Sequence, residues 1–533
     1  MKNLLLTLGH NSSAILIEDE KVVWGYETER LSGRKSDSRF PMPFVDKLVG
    51  EVKPDMVYVT HWAPDCVLSS MGQKYWDPSR FDGVPIRTLS LECTHHDTHM
   101  LAALCYAGPQ FPKYKSYGFV VDGFGTLGEH FSVYDLSSGQ PELVRRVHGY
   151  DTSLGLWYQY ATAFMGMKMH EDEYKLLGYE VHVSDSDAEL LDVDAAVTAA
   201  DWVDRMSKSV YGSMYDPMYS VDALPAVKDR IFSHLLQVCK KYGIEDPTTF
   251  ESRCLLAYYV QQVLERVVLY HVVETGADNV VLSGGCFYNV KLNKRIVDMT
   301  DGLVCVYPLA GDQGNALGLY SLDHPEFEFP PNLNWGRRTL RDVGQVNGLT
   351  YVSQEKALGH LMDAILEHGH VNLVRGDMEF GPRALCNTST LAMPTMENVR
   401  KINAANERNT VMPMAPVVSP SMYASMFERA GRVWKSCFHM VCAMEFKEHP
   451  SDDMLGVSHR YKRPYFHHTA RPQIASGADS LLTDLLRHFK TPLINTSFNF
   501  HGKPIAFDMP SVIENHMDQH SRDNSFTTVV VKS

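Results

Sequence analysis

The sequence predicts an α/β protein with an N-terminal and a C-terminal lobe. Three observations point there. Short apolar runs with strand character alternate with helical patterns from the first residues onward. Glycine-rich turns follow three of those runs, at Gly9-His10-Asn11-Ser12-Ser13, Asp122-Gly123-Phe124-Gly125-Thr126 and Ser283-Gly284-Gly285. The composition then changes at His324-Pro325-Glu326-Phe327-Glu328-Phe329-Pro330-Pro331-Asn332, which is rich in proline and charge and has no period.

In chain order, Leu4–Leu8 and Ala14–Ile17 read as strands hinged on Gly9–Ser13, and Lys21–Gly25 reads as a third. Further strands are expected at Met56–Thr60 and Tyr117–Val121. Asp185–Asp204 reads as an acidic, solvated insertion. Cys254–Val273 repeats apolar residues at steps of three and four, the signature of a long helix. Asn279–Leu282 and Leu303–Val306 are buried strands, and Gly314–Tyr320 is a small-residue helix in which Gly318 serves packing. Residues 323–351 are expected to be a linker between domains at 1–322 and 352–533. The second region should hold strands at Val371–Arg375, His439–Met444, Pro492–Asn495 and Phe526–Val531. No internal repeat or low-complexity tract is visible.

Bulk properties narrow the function. The chain has 533 residues, 44% of them hydrophobic and 21% charged, which suits a globular protein with a large core. A net charge of −14 disfavours general nucleic-acid binding without excluding a local basic groove. The ten cysteines are scattered among apolar neighbours with no CxxC pair, as reduced thiols in a cytoplasmic protein would be. Met1–Leu6 reads as a buried first strand rather than a signal peptide, and no apolar run approaches a membrane span.

The most informative short motif is Thr94-His95-His96-Asp97-Thr98-His99. Helical positions four apart share a face, so His95 and His99 can reach one ion. Asp122 and Asp312, each in a glycine-rich turn, can complete a His2Asp2 set suited to iron, manganese or zinc. The alternative is a helix cap with a surface histidine pair. Glycines in the three turns let backbone N–H groups approach a phosphate. Together the turns resemble the phosphate and adenosine loops of the actin-like ATPase superfamily.

A sharper resemblance rests on successive blocks: Gly9–Ala14, Glu29-Arg30-Leu31, His95–His99, Asp122–Gly125, Ser283–Gly285, Met378-Glu379-Phe380-Gly381-Pro382-Arg383-Ala384-Leu385, Thr469-Ala470-Arg471-Pro472-Gln473 and Asn495-Thr496-Ser497-Phe498-Asn499. These are similar to the O-carbamoyltransferase family of nodulation-factor, antibiotic-tailoring and modified-DNA-base enzymes. The resemblance implies an actin-like N-terminal domain of duplicated RNase H-like subdomains, like the threonylcarbamoyl-transfer proteins. It implies a C-terminal carbamoyl-adenylate-forming, YrdC-like α/β domain. Carbamoyl phosphate and ATP, with Mg2+, would form carbamoyl-adenylate, and an acceptor hydroxyl would take the carbamoyl group at the metal centre, iron being favoured. The same resemblance makes His10 the general base and His95, His99, Asp122 and Asp312 the metal ligands. It places Lys175, Ser283, Gly284, Gly285 and Asn289 at the nucleotide, and Arg383 and Arg471 at the phosphates. Arg375, Arg408, Asn495, Thr496 and Ser497 are supporting residues.

Two departures stand out. Where the family commonly carries arginines, this chain has Thr388 and Met412, so Arg400 or Lys401 would have to compensate. The acceptor is expected to be the hydroxymethyl group of a DNA pyrimidine, 5-hydroxymethylcytosine, or else a sugar or antibiotic hydroxyl. The first expectation rests on His459-Arg460-Tyr461-Lys462-Arg463-Pro464-Tyr465-Phe466-His467-His468, with Arg337, Arg338 and Arg341. An actin-like kinase is the alternative of another class, but it leaves the histidine pair and both arginine motifs without a role. No HExxH metalloprotease motif occurs. A homodimer without membrane association is expected.

Overall fold

The computed structural model describes residues 1–61, 75–209, 221–408, 413–461 and 466–532. The first sheet contains β1 (Lys2–Thr7), β2 (Ser13–Glu18), β3 (Lys21–Glu27), β4 (Met56–Thr60) and β5 (Ile86–Thr88), in the order β3-β2-β1-β4-β5. The second contains β6 (Ser116–Val121), β7 (Glu129–Asp135), β8 (Glu142–His148), β9 (Asn279–Ser283) and β10 (Val304–Val306), in the order β10-β9-β6-β7-β8. Both follow one plan. Three strands form an antiparallel meander, the fourth joins the first in parallel, and the fifth joins the fourth in parallel. This is the duplicated, actin-like architecture expected, repeated in topology though no repeat is visible in sequence.

Between the sheets the helix His95–Ala107 packs on the helix Asn315–Asp323. Gly318 makes that approach workable. A Cβ at this position would sit 1.9 Å from the Thr98 carbonyl oxygen. The long helix extends over Phe250–Thr275 and is buried along most of its length. Asp185–Lys208 is a correction. It is an amphipathic helix whose Ala188, Leu191, Ala195, Ala199, Trp202 and Met206 enter the core, so only its acidic face is solvated.

The C-terminal region adds β11 (Asn334–Gly336), β12 (Leu349–Val352), β13 (His370–Arg375), β14 (Met378–Glu379), β15 (Thr388–Ala392), β16 (Ala415–Val418), β17 (Met444–Glu445), β18 (His459–Tyr461), β19 (His467–Ala470), β20 (Gln473–Ile474), β21 (Leu493–Ser497) and β22 (Thr528–Val531). A mixed seven-stranded sheet runs β12-β22-β13-β15-β21-β16-β20, and β17-β19-β18 form a smaller one. The strand expected at His439–Met444 is instead a 3-10 turn at Ser436–His439 leading into the short β17.

The two regions do not hang on a loose tether. Phe327, Leu333, Trp335 and Leu340 of the connecting stretch are buried, and β11 pairs with β14. Arg30 donates to the Gly381 carbonyl at 2.7 Å, while the Gly381 N–H donates to Glu27 at 2.9 Å. The N-terminal meander therefore grips the loop that carries Arg383. The described cysteines are free thiols, and Cys66 lies outside the described residues.

The Gly318 contact predicts that Gly318→Val destabilises the chain by more than the ~1–3 kcal/mol typical of overpacking, because the obstacle is backbone that cannot change rotamer. Thermal unfolding measures this. An unshifted melting temperature would show that the helices can separate freely.

Candidate metal centre and arginine pocket

The histidine helix is set by its own first turn. Thr94 caps it, accepting from the Asp97 N–H, while the Asp97 side chain accepts from Thr94, which closes a capping box. Buried Glu129 accepts from Thr94 Oγ1 at 3.0 Å and from the His96 N–H at 2.9 Å, and Arg146 neutralises it at 3.0 Å. His95 and His99 are thereby presented inward on one face. His96 turns away to Ser132, and burial holds it well below the usual imidazole range.

The four expected ligands converge. His95 Nε2 lies 3.2 Å from Asp122 Oδ2 and 3.3 Å from Asp312 Oδ1, and His99 Nε2 lies 3.4 Å from each of the same oxygens. All four candidate ligand atoms fall within 4.8 Å of one another. Burial disfavours charge on His95, but the two carboxylates outweigh it and push His95 up to about 10. Burial likewise works against Asp122 and Asp312, yet the histidines hold both well below the usual carboxylate range. The donor set fits a divalent ion, with both imidazoles offering Nε2. Their Nδ1 atoms face Asn315 at 3.4 Å and Ser283 at 3.3 Å.

The glycine turns serve this centre. A Cβ on Gly284 would lie 2.4 Å from the Val121 carbonyl oxygen, and one on Gly125 would lie 2.6 Å from the His95 ring. The Gly285 and Gly123 N–H groups donate to Asp122 Oδ1 at 3.3 and 2.8 Å. Ser283 and Gly285 thus contact metal-ligand side chains. Asn289 is also engaged, capping the next helix through the Leu292 N–H and exchanging hydrogen bonds with Gln261. Ser283 and Asn289, expected to line an adenosine pocket, thus have their side chains engaged with protein groups.

His10 reaches the edge of the centre. Its Nδ1 lies 3.7 Å from Asp312 Oδ2, and its side chain is 51% exposed. His170 stands beside it, the rings 5.4 Å apart. The sequence reading missed His61, whose Nε2 lies 3.0 Å from Asp312 Oδ2. It also missed Lys35, whose amine is lowered first by burial and then by its neighbours Arg30 and Arg408, against the raising pull of Glu29 and Glu171. Lys175 pairs with Asp172 at 2.8 Å and lies 3.4 Å from His501.

The arginines divide by partner. Arg375 forms a two-pronged ion pair with Asp479 and donates to the Cys386 carbonyl, so its fork is filled. Arg408 donates to Thr496, Ser497 and Asn499, and burial brings it down to about 10. Thr496 and Ser497 are thus acceptors for Arg408. Asn495 ties the Ala384 carbonyl to Gln473. Arg375, Arg408, Asn495, Thr496 and Ser497, expected as supporting residues, are thus engaged with one another and with neighbouring protein groups.

Arg383 and Arg471 differ. Burial and the Arg383 charge both press Arg471 well below the usual guanidinium range, and the buried Arg383 Nε has no hydrogen-bond partner. No carboxylate among the described residues pairs with either. Two half-buried guanidinium groups near each other, with no carboxylate partner among the described residues, concentrate positive charge that suits an anion. Arg383 lies 5.9 Å from the Tyr288 ring, and Tyr288 accepts a hydrogen bond from Gln313, the neighbour of Asp312, at 2.7 Å. One tyrosine and one glutamine thus link the two centres. The buried Thr388 hydroxyl is unpartnered on β15, and Met412 lies outside the described residues.

The basic–aromatic tract is largely internal. His459 and Tyr461 point inward, to the Leu177 carbonyl and to Glu265, and His467 and His468 are buried. Residues 462–465 lie outside the described set. Arg338 is likewise buried, with its fork on five backbone carbonyls of the 375–387 and 506–507 segments. Arg337, Arg341 and Arg460 are exposed, so the basic surface is limited to these three among the described residues of the two stretches.

Residues 83–319 match the family described as "Carbamoyltransferase N-terminus", and residues 362–531 match "Carbamoyltransferase C-terminus". "Uncharacterized protein MJ1051" of Methanocaldococcus jannaschii is 26% identical, over 96% of this chain and 95% of its own. A protein of Amycolatopsis lactamdurans named "3'-hydroxymethylcephem-O-carbamoyltransferase" is 24% identical, over 95% of this chain and 94% of its own. Among solved structures, the activator of the 2-hydroxyisocaproyl-CoA dehydratase from Clostridium difficile overlaps loosely. Its TM-score is 0.34 at 14% identity, covering 61% of this chain and 96% of that one.

The raised His95 predicts how metal uptake depends on pH. At neutral pH the metal-free imidazole carries a proton that an incoming ion must expel. Affinity for Mn2+ should therefore rise about tenfold per pH unit from neutrality toward the His95 value of about 10. Calorimetry in buffers of different ionisation enthalpy should show about one proton released per ion. An affinity flat with pH would contradict the charge assignment.

Proposed function

The chain belongs to the carbamoyltransferase family, and from that premise we propose that it activates carbamoyl phosphate with ATP in the arginine pocket and delivers the carbamoyl group to an acceptor hydroxyl at the histidine–aspartate centre. One observation carries this reading. Two unpaired guanidinium groups and a four-ligand cluster lie on either side of the Tyr288–Gln313 contact in one chain.

Activation brings polyanions together, which half-buried Arg383 and Arg471 favour by supplying charge that no carboxylate among the described residues has claimed. Carbamoyl phosphate, ATP and water would give carbamoyl-adenylate, phosphate and pyrophosphate. Lys175 and the cations near Lys35 and Arg408 extend positive potential along the same cleft. A divalent ion on His95, His99, Asp122 and Asp312, iron being favoured with manganese and zinc compatible, would supply Lewis-acid polarisation of the carbamoyl carbonyl. In transfer, the acceptor oxygen bonds to the carbamoyl carbon, the bond to AMP breaks, and the hydroxyl proton passes to His10. His10 Nδ1 faces Asp312, which leaves Nε2 as the proton-accepting atom.

The acceptor we favour is a small-molecule hydroxyl. His459, Tyr461, His467 and His468 of the tract that suggested DNA are buried, with Arg460 and Phe466 exposed, and a relative matched over 94% of its own length is named for a hydroxymethyl cephem. Mass spectrometry with ATP, carbamoyl phosphate and a panel of hydroxymethyl cephems, sugars and 5-hydroxymethylcytosine DNA tests this. One carbamoyl group gained per AMP formed is expected. A phosphorylated acceptor with ADP would mean a kinase, and carbamoylated DNA would overturn the acceptor assignment.

The two half-reactions should separate by mutation. His95→Ala/His99→Ala should abolish transfer but leave carbamoyl-phosphate-dependent ATP consumption measurable. Arg471→Ala should stop that consumption itself. Equal loss of the first step in both variants would end the two-site reading. His10→Asn should retain metal and adenylate formation and lose transfer by about 10²–10⁴-fold in single-turnover assays. Loss of bound metal from His10→Asn would make His10 a ligand instead.

A further inference from the structure

We propose that His61 is a positioning residue for the metal centre, holding Asp312 by the carboxylate oxygen that does not face the histidine pair. The inference rests on the reading of His95, His99, Asp122 and Asp312 as metal ligands.

The carboxylate of Asp312 is divided between two neighbourhoods. Its Oδ1 faces His95 Nε2 and His99 Nε2 at 3.3 and 3.4 Å. Its Oδ2 points the other way, to His61 Nε2 at 3.0 Å and His10 Nδ1 at 3.7 Å. A carboxylate free to rotate can offer both oxygens to a metal and fill an extra position. One pinned by Oδ2 offers a single oxygen and leaves room for a substrate atom. His61 is the closer and less exposed of the two anchors, at 24% against 51% for His10. Its buried Nε2 makes no hydrogen bond among the described residues, so Asp312 is held by this charge-pair approach.

Its placement is unusual for a residue with only a packing role. His61 directly follows β4 in the left-handed region, at φ 64°, a conformation uncommon for a residue other than glycine. The ring meets the His95 ring edge-on at 4.7 Å and lies beneath Gly9, where a Cβ would sit 3.9 Å from it. One side chain thus touches a metal-ligand carboxylate, a metal-ligand imidazole and the turn that carries His10. His10 need not anchor Asp312, and its imidazole stays available to the acceptor.

Two substitutions separate this role from simple packing. His61→Asn keeps a residue that tolerates positive φ but is too short to reach Asp312. His61→Gln restores an N–H at nearly the Nε2 position. Co2+ binding to the purified full chain, followed by calorimetry and by the cobalt visible absorption, reads affinity, stoichiometry and coordination number without any turnover. We expect one Co2+ per chain throughout. His61→Asn should weaken it about 10–100-fold and lower the absorption toward that of a higher-coordinate ion, and His61→Gln should recover both. Unchanged affinity and spectrum in His61→Asn would overturn the proposal, as would two Co2+ per chain falling to one, which would make His61 a ligand. His95→Ala/His99→Ala serves as the reference. If it still binds Co2+ as the parent does, the centre itself is misread; if it binds none while His61→Asn is unaffected, only the role of His61 fails.

Discussion

Everything around the N-terminal centre answers one electrostatic constraint. Two carboxylates and two imidazoles are held within 4.8 Å, with His95, His99 and Asp312 buried and only Asp122 partly open to water. Two aspartates in that space repel each other strongly unless positive charge lies between them. In the metal-free chain a protonated His95 supplies it, and a divalent ion takes over that part when it binds. The supporting structure keeps the four groups from relaxing apart. Glu129 and Arg146 fix the start of the helix, two backbone N–H groups hold Asp122, and His61 holds Asp312. The glycines at 125, 284 and 318 matter because any side chain there would wedge these pieces open.

The same logic explains why the two regions of the chain are not separable lobes. The loop of Arg383 is gripped by Glu27 and Arg30 of the first sheet, and Arg383 stands over Tyr288 of the second. The small C-terminal sheet is pinned in turn by Tyr461 on Glu265 and His459 on Leu177. On the proposed function, an activated carbamoyl group prone to hydrolysis would form one tyrosine and one glutamine from where it is used, which would shorten its exposure to water.

What was legible in the sequence is what local chemistry encodes. A His-x-x-x-His spacing fixes a shared helix face, and glycine turns at strand ends announce close backbone approach, so His95, His99, Asp122 and Asp312 could be read residue by residue, whereas the duplicated plan came only through the family resemblance. His61 could not, because a lone histidine after a strand has no pattern, and its meaning lies in contact with an aspartate distant in sequence. The helix Asp185–Lys208 was hidden by its acidic residues although Ala188, Leu191, Ala195, Ala199, Trp202 and Met206 keep helical spacing. Counting charges obscured the face that decides burial.

Arginine shows the limit most clearly. Arg338, Arg375, Arg383, Arg408 and Arg471 look alike in sequence, and four of them sit in or near the same family blocks. Their roles differ by what each guanidinium already touches. Arg338 fills its donors on backbone carbonyls, Arg375 on Asp479, and Arg408 on the Thr496–Asn499 turn. Arg338 spends all five donors, every nitrogen of Arg375 is engaged, and so are both terminal nitrogens of Arg408, which leaves these three little for a ligand. Arg383 and Arg471 are half-buried and have no carboxylate partner among the described residues, which is why the proposed function gives them the anion. What separates them from the other three is an unmet electrostatic demand, and that demand appears only once the chain has folded.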